Sequence, residues 1–156
     1  MKKQSVSHVN RSGEGLVVVV ILVLILGAGA WWLFSTKNAS EKEARAFGRQ
    51  MIENLAVKHD IAFFVNNLGP QAKSDYPPSM QQMVIQKLTE MGTPAQPIKI
   101  DENIAFESQF FSPRGFFTAH LNYPGGPTVM ELAISHPVGK WQVDNLTITW
   151  KAAPTQ

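Results

Sequence analysis

Residues 116–135, FFTAHLNYPGGPTVMELAIS, carry the pattern on which the fold reading turns. Phe117, Ala119, Leu121 and Tyr123 alternate with Phe116, Thr118, His120 and Asn122, so every second side chain falls on one face of a strand. Pro124-Gly125-Gly126-Pro127 is a turn, after which Met130, Leu132 and Ile134 alternate with Val129, Glu131 and Ala133. Working outward, Ile98, Ile100, Ile104 and Phe106 begin an earlier strand region. His136-Pro137-Val138-Gly139 turns the chain into a last strand, Trp141 to Lys151, with Leu146, Ile148 and Trp150 on one face. Successive strands joined by tight turns predict an antiparallel meander.

Before Pro97 the period is helical. Ala44, Phe47, Gly48, Met51, Ile52 and Leu55 recur at three- and four-residue spacing, and Ile61, Phe64 and Val65 extend the pattern to a stop at Asn67-Leu68-Gly69-Pro70. Lys42, Arg45, Arg49 and Glu53 fall mostly on the opposite side and read as a solvated face. Ser40 with Glu43 forms a capping box, which predicts a fresh helix start there. Ser79 with Gln82 forms another, after Tyr76-Pro77-Pro78. Met80, Met83, Val84, Leu88 and Met91 then repeat at helical spacing up to Gly92, a stripe read as core filling rather than as an adaptable binding surface.

Upstream lies the address. Leu16 to Phe34, LVVVVILVLILGAGAWWLF, has no charged side chain, and its nineteen residues match the hydrocarbon core of a bilayer at ~1.5 Å per residue. Ala28-Gly29-Ala30 fits a signal-peptidase pattern, but Trp31, Trp32, Leu33 and Phe34 carry the apolar run past any cut, which favours a permanent signal anchor. Trp31, Trp32 and Phe34 suit the headgroup interface, and Gly27 and Gly29 would let a neighbouring helix approach. A pilin-like assembly helix is disfavoured, because the glutamate which the type IV pilin family carries five residues into its mature segment is missing.

The charge of +2 resides in the tail, where Lys2, Lys3 and Arg11 face Glu14; from Lys37 onward eleven basic residues balance eleven acidic ones. The basic balance is therefore topogenic and argues against nucleic-acid binding. Lys37, Lys42, Arg45 and Arg49 lie just beyond the apolar run, so the charge count alone leaves orientation open. The Met-Lys-Lys start favours a cytoplasmic tail and an exported domain, that is, a single-pass protein of the bacterial inner membrane with a periplasmic or extracytoplasmic domain. The absence of cysteine removes disulfides, thiolate metal sites and a thiol nucleophile. The predicted organisation is a basic tail over residues 1–15, a transmembrane helix over 16–35, a hinge over 36–39, a soluble domain over 40–151 and a frayed tail over 152–156.

Helices followed by a curved antiparallel sheet define an α+β class, with two or three helices packed on the sheet. The soluble part resembles the nuclear transport factor 2-like superfamily. The resemblance rests on Gly139-Lys140-Trp141-Gln142-Val143-Asp144-Asn145-Leu146, similar to the final hairpin common in that cone-shaped fold. That fold hosts enzymes, ligand carriers and interaction modules, so function must come from a site. Acid–base candidates are His59, Asp60, Tyr76, His120, Glu131 and His136. His59 and Asp60 diverge by about 100° on a helix, and His120 and Glu131 lie opposite the core rows. No histidine pair has metal-ligand spacing, so no catalytic residue, cofactor or metal is expected.

The expected function is that of a non-enzymatic accessory or assembly subunit that binds other proteins of a membrane complex, with self-association as an option. An anchor bearing such a domain is similar in architecture to the inner-membrane assembly factor of type IV secretion systems. Phe110, Phe111 and Phe116, around the Ser112-Pro113-Arg114-Gly115 turn, join aromatic rings to Arg114, the composition an interface core uses. His120, with Thr118, Thr147 and Thr149, marks the polar sheet face as the other partner surface. The alternative is a small ligand or lipid held in the cone.

Overall fold

The computed structural model describes residues 12–106, 112–137 and 139–150, with side chains from Val17. It is an α+β arrangement: helices α1 (Ser12–Ala56), α2 (Ile61–Asn66), α3 (Pro70–Asp75) and α4 (Pro78–Met91) precede strands β1 (Lys99–Phe106), β2 (Pro113–Tyr123), β3 (Gly126–Ser135) and β4 (Gln142–Trp150). The strands form one curved antiparallel sheet in the order β1-β2-β3-β4, as the alternating pattern predicts. Two units divide between Asn38 and Ala39. The first holds the apolar stretch, whose residues from Val17 to Phe34 are all exposed on a helix long and apolar enough to cross a membrane.

The helix over residues 36–40 differs from expectation. α1 runs on through Lys37-Asn38-Ala39-Ser40, residues expected outside any helix, so the Ser40–Glu43 capping box lies inside a helix with no free end to cap. Nothing in that stretch breaks a helix, since it contains neither glycine nor proline.

α1 closes instead at Ala56, inside the pattern that predicts continuation to Val65. Val57 and Lys58 both donate their amides to the Glu53 carbonyl. His59 takes φ +54, and the Asp60 amide bonds the Asn54 carbonyl at 2.8 Å. Asp60 then opens α2 by accepting from the Phe63 amide at 2.9 Å. The unforeseen α3 starts on Pro70, and α4 starts on Pro78 with Pro77 as its cap, so Ser79 is already helical and caps nothing. Gly92, at φ +81, ends α4 as expected.

On the sheet's inner face, adjacent strands align Glu102, Phe117, Leu132 and Leu146 in one row and Ile100, Ala119, Met130 and Ile148 in the next. The α1 turns around Met51 and Leu55 complete this core, together with Phe64 and Leu88. Gly48 is the point of closest approach: a Cβ there would lie 2.3 Å from the Phe117 ring. In β4 the register shifts, so that Ala133 faces Asn145 while Ile134 faces Val143. The extra residue, Asp144, lets both Val143 and Leu146 point inward, and its Oδ1 accepts from Ser135 Oγ and Gln142 Nε2, each at 2.9 Å. Pro113, Arg114 and Gly115, expected in a turn, are already paired in β2.

Candidate interaction surfaces

Of the residues expected to bind a partner, the described ones, Arg114, Phe116 and His120, share the outer face of β2. Phe110 and Phe111 lie outside the described residues. Arg114 and Phe116 are exposed on the outer sheet face, with Phe116 between Asn103 and Ala133. Beside it, Thr118, Glu131 and Thr147 border a shallow depression of about 300 Å³. His120 stands further along the same face, its Nε2 3.2 Å from Asp101 Oδ2, in a row with Val129 and Thr149. Trp31, Trp32 and Phe34 are exposed on α1, and among the described residues nothing would come within 4 Å of a Cβ at Gly27 or Gly29.

The acid–base candidates lie on separate elements. Asp60 is engaged as the α2 cap. His59 adopts a left-handed backbone beside it, and its Nε2 is buried without a hydrogen-bond partner among the described residues. The His136 ring packs 4.8 Å from Trp141 in the β3–β4 turn. His120 and Glu131 are diagonal neighbours across β2 and β3 on the exposed face. Among the described residues no three His, Cys, Asp or Glu side chains gather to hold a metal.

Tyr76, like Asp60, is put to structural use by the fold. Its hydroxyl donates to the Leu146 carbonyl and receives the Leu146 amide at 3.1 Å. Burial pushes this phenol above its ordinary range; the bond from Leu146 opposes the shift and the nearby Asp75 charge adds to it. The ring sits edge-on to Phe64 and lines a trough between α4 and β4.

That trough is the feature which sequence reasoning missed. It encloses about 440 Å³ and is lined by Met80, Met83 and Val84 from α4 against Leu146, Ile148 and Trp150 from β4. Among the described residues Lys87 is the charged side chain in its wall, and no carboxylate lines it. Periodicity made Met80 to Met91 one core stripe. In the structure that stripe divides: Leu88 and Met91 are buried, whereas Met80 and Met83 are 38% and 59% exposed. The signal was present in the choice of methionine, an adaptable side chain suited to an open apolar wall. Which half of the stripe the sheet leaves uncovered depends on where β4 lies.

A second omission is Glu102. It occupies an inner-face position of β1, its side chain is 5% exposed, and Arg45 and Arg49 of α1 both bind it. By sequence periodicity alone these arginines belong to the solvated face of α1. The space between helices and sheet, where a ligand was the alternative expectation, holds the fully buried Phe64, Phe117, Met130 and Leu132. Besides the trough, a second depression of about 440 Å³ lies where Arg49, Ile52 and Val57 of α1 face Pro97, Ile98 and Ile100. Comparison with known protein families, curated proteins and solved structures finds no match for this chain.

Proposed function

We propose that the chain is a membrane-tethered interaction module: a single-pass anchor in the bacterial inner membrane, tail inside, holding outside it an α+β domain that binds other proteins of a membrane complex. The order of helices and meander, with the hairpin at residues 139–146, supports likening that domain to the nuclear transport factor 2-like superfamily. The observation that carries the binding role is the α4–β4 trough, where Met80 and Met83 keep apolar surface open to solvent beside Ile148 and Trp150 of β4, whose outer main chain no described residue pairs. Apolar side chains in a well-formed concavity mark a binding site more often than singly exposed ones do.

Extraction of the full chain from native membranes in mild detergent, followed by mass spectrometry of co-purifying chains, tests the role. Met80→Lys with Met83→Lys should remove a defined set of those chains. A parallel Phe116→Ser variant tests the outer face. If the folded trough variant recovers the same set as the unmodified chain, the trough is not the binding surface. Loss through Phe116→Ser alone would move the role to the sheet face.

A further inference from the structure

The trough's floor is a sheet edge, and that edge is covered over half its length. At Val143 the outward main chain is satisfied by Leu68's neighbours: Val143 donates to the Asn67 carbonyl at 2.7 Å and accepts from the Gly69 amide at 2.8 Å. At Leu146 the Tyr76 hydroxyl takes the place of a neighbouring strand, meeting both amide and carbonyl. Outward and inward residues alternate along an antiparallel strand, so the next outward positions after Leu146 are Ile148 and Trp150. No main-chain bond from the described helices or loops reaches either of them. Among the described residues the edge is thus open where the apolar wall of α4 begins.

We infer that this trough, read above as the binding surface, takes an extended segment of a partner polypeptide as a fifth strand antiparallel or parallel to β4, with a carboxylate of that segment directed to Lys87. The inference rests on the proposed binding role and names its chemistry. A strand satisfies the Ile148 amide and carbonyl and the Trp150 amide, and its alternate side chains enter the apolar wall at Met80, Met83 and Val84. An acyl chain would fill the wall but leave those main-chain groups desolvated and unpaired. A second folded copy would bring its own α4 into the layer above the same seam. Lys87, 51% exposed and 3.8 Å from Glu90, is the trough's charge, so complementarity selects an acidic residue in the guest.

The test uses the full chain in lipid nanodiscs and a labelled, end-blocked heptapeptide of alternating valine and threonine closing on aspartate. Two twins carry N-methyl groups on the odd or on the even residues, which removes the donors of one edge at a time. Fluorescence anisotropy should show saturable binding of the parent, with one twin about tenfold weaker and the other little changed. Lys87→Glu should weaken the aspartate peptide and favour a lysine-ended counterpart. Equal binding of parent and both twins overturns strand addition while leaving the trough as a binding surface. Failure of the parent peptide to bind also overturns it, and the co-purification experiment then decides the binding role independently. A chain that dimerises through the trough, or a trough that takes oleate but not the peptide, assigns the occupant to a second copy or an acyl chain and overturns the inference as well.

Discussion

Arg45 Nη1 lies 2.9 Å from Glu102 Oε2, joining the exposed side of α1 to a carboxylate on the core face of β1. Arg49 binds the other carboxylate oxygen. The two arginines are 47% and 63% exposed while the glutamate side chain is 5% exposed, so the energetics are one-sided. Desolvation falls on the carboxylate, and the arginines offset it from the wet side.

Replacing both arginines by methionine should therefore cost about 3 kcal/mol, because an uncompensated charge stays buried. Arg49→Met alone should cost about 1 kcal/mol or less, since that side chain is largely solvated and Arg45 remains. Adding Glu102→Met to the double variant should recover most of the loss. Urea titration of the full chain in mild detergent measures all three. A triple variant no more stable than the double would show that the charge is not the cause.

Gly48→Ala reverses the usual sign of its substitution. At an exposed helical position alanine would stabilise by about 1 kcal/mol. Here the new Cβ meets the Phe117 ring at 2.3 Å, and that ring is buried between Gly48 and Gly115. The expected loss is about 2 kcal/mol. Phe117→Leu in the same chain should relieve part of it, giving a double-mutant coupling of opposite sign to the single effects. Additive losses in the cycle would rule the contact out.

Stability should fall in strong base. The Tyr123 hydroxyl donates to the Ala56 carbonyl at 3.1 Å, and burial pushes its pKa from 10.0 up to about 12. Folding holds this proton more tightly than the unfolded chain does. The contribution is thus complete below pH 10 and is lost as pH rises from 10 to 12, on the order of 2–3 kcal/mol. Tyr76 is shifted in the same direction and adds to the slope. Tyr123→Phe should flatten most of the decline in melting temperature above pH 10; an unchanged profile would exclude Tyr123 as its source.

Ser40→Ala separates a capped start from a continuous helix. A serine N-cap lost to alanine costs about 1 kcal/mol, whereas the same change inside a helix is neutral or mildly stabilising. Because α1 runs through Ser40, the expected change is within about 0.5 kcal/mol of zero. Thermal unfolding of the full chain distinguishes the two.

The inner face of β2 was legible because alternation is local: Phe117, Ala119, Leu121 and Tyr123 are all buried, and His120 and Asn122 are exposed. Gly92 and the turn after Tyr123 were legible for the same reason. Helix starts were not. Ser40 and Ser79 satisfy the capping pattern, but a cap acts only at a free helix end, and the continuity of α1 and the Pro77-Pro78 start remove both ends. The closing turn at His59 carries no glycine or proline to announce it. The β4 shift at Asp144 was equally silent, since a bulge is held by Ser135 and Gln142, which meet it only across the sheet hairpin.

The sequence by itself determined the apolar helix, the α+β order and the antiparallel meander. Each follows from a period in neighbouring residues and from what a bilayer or a core can solvate. Only the tertiary structure decided that Glu102 is buried between two arginines, that Tyr76 stands in for a strand at Leu146, and that the methionine stripe of α4 is half open. Those outcomes depend on which elements meet. Burial and pairing arise from groups far apart in the chain, Tyr76 with Leu146 or Arg45 with Glu102, and no local period encodes their encounter.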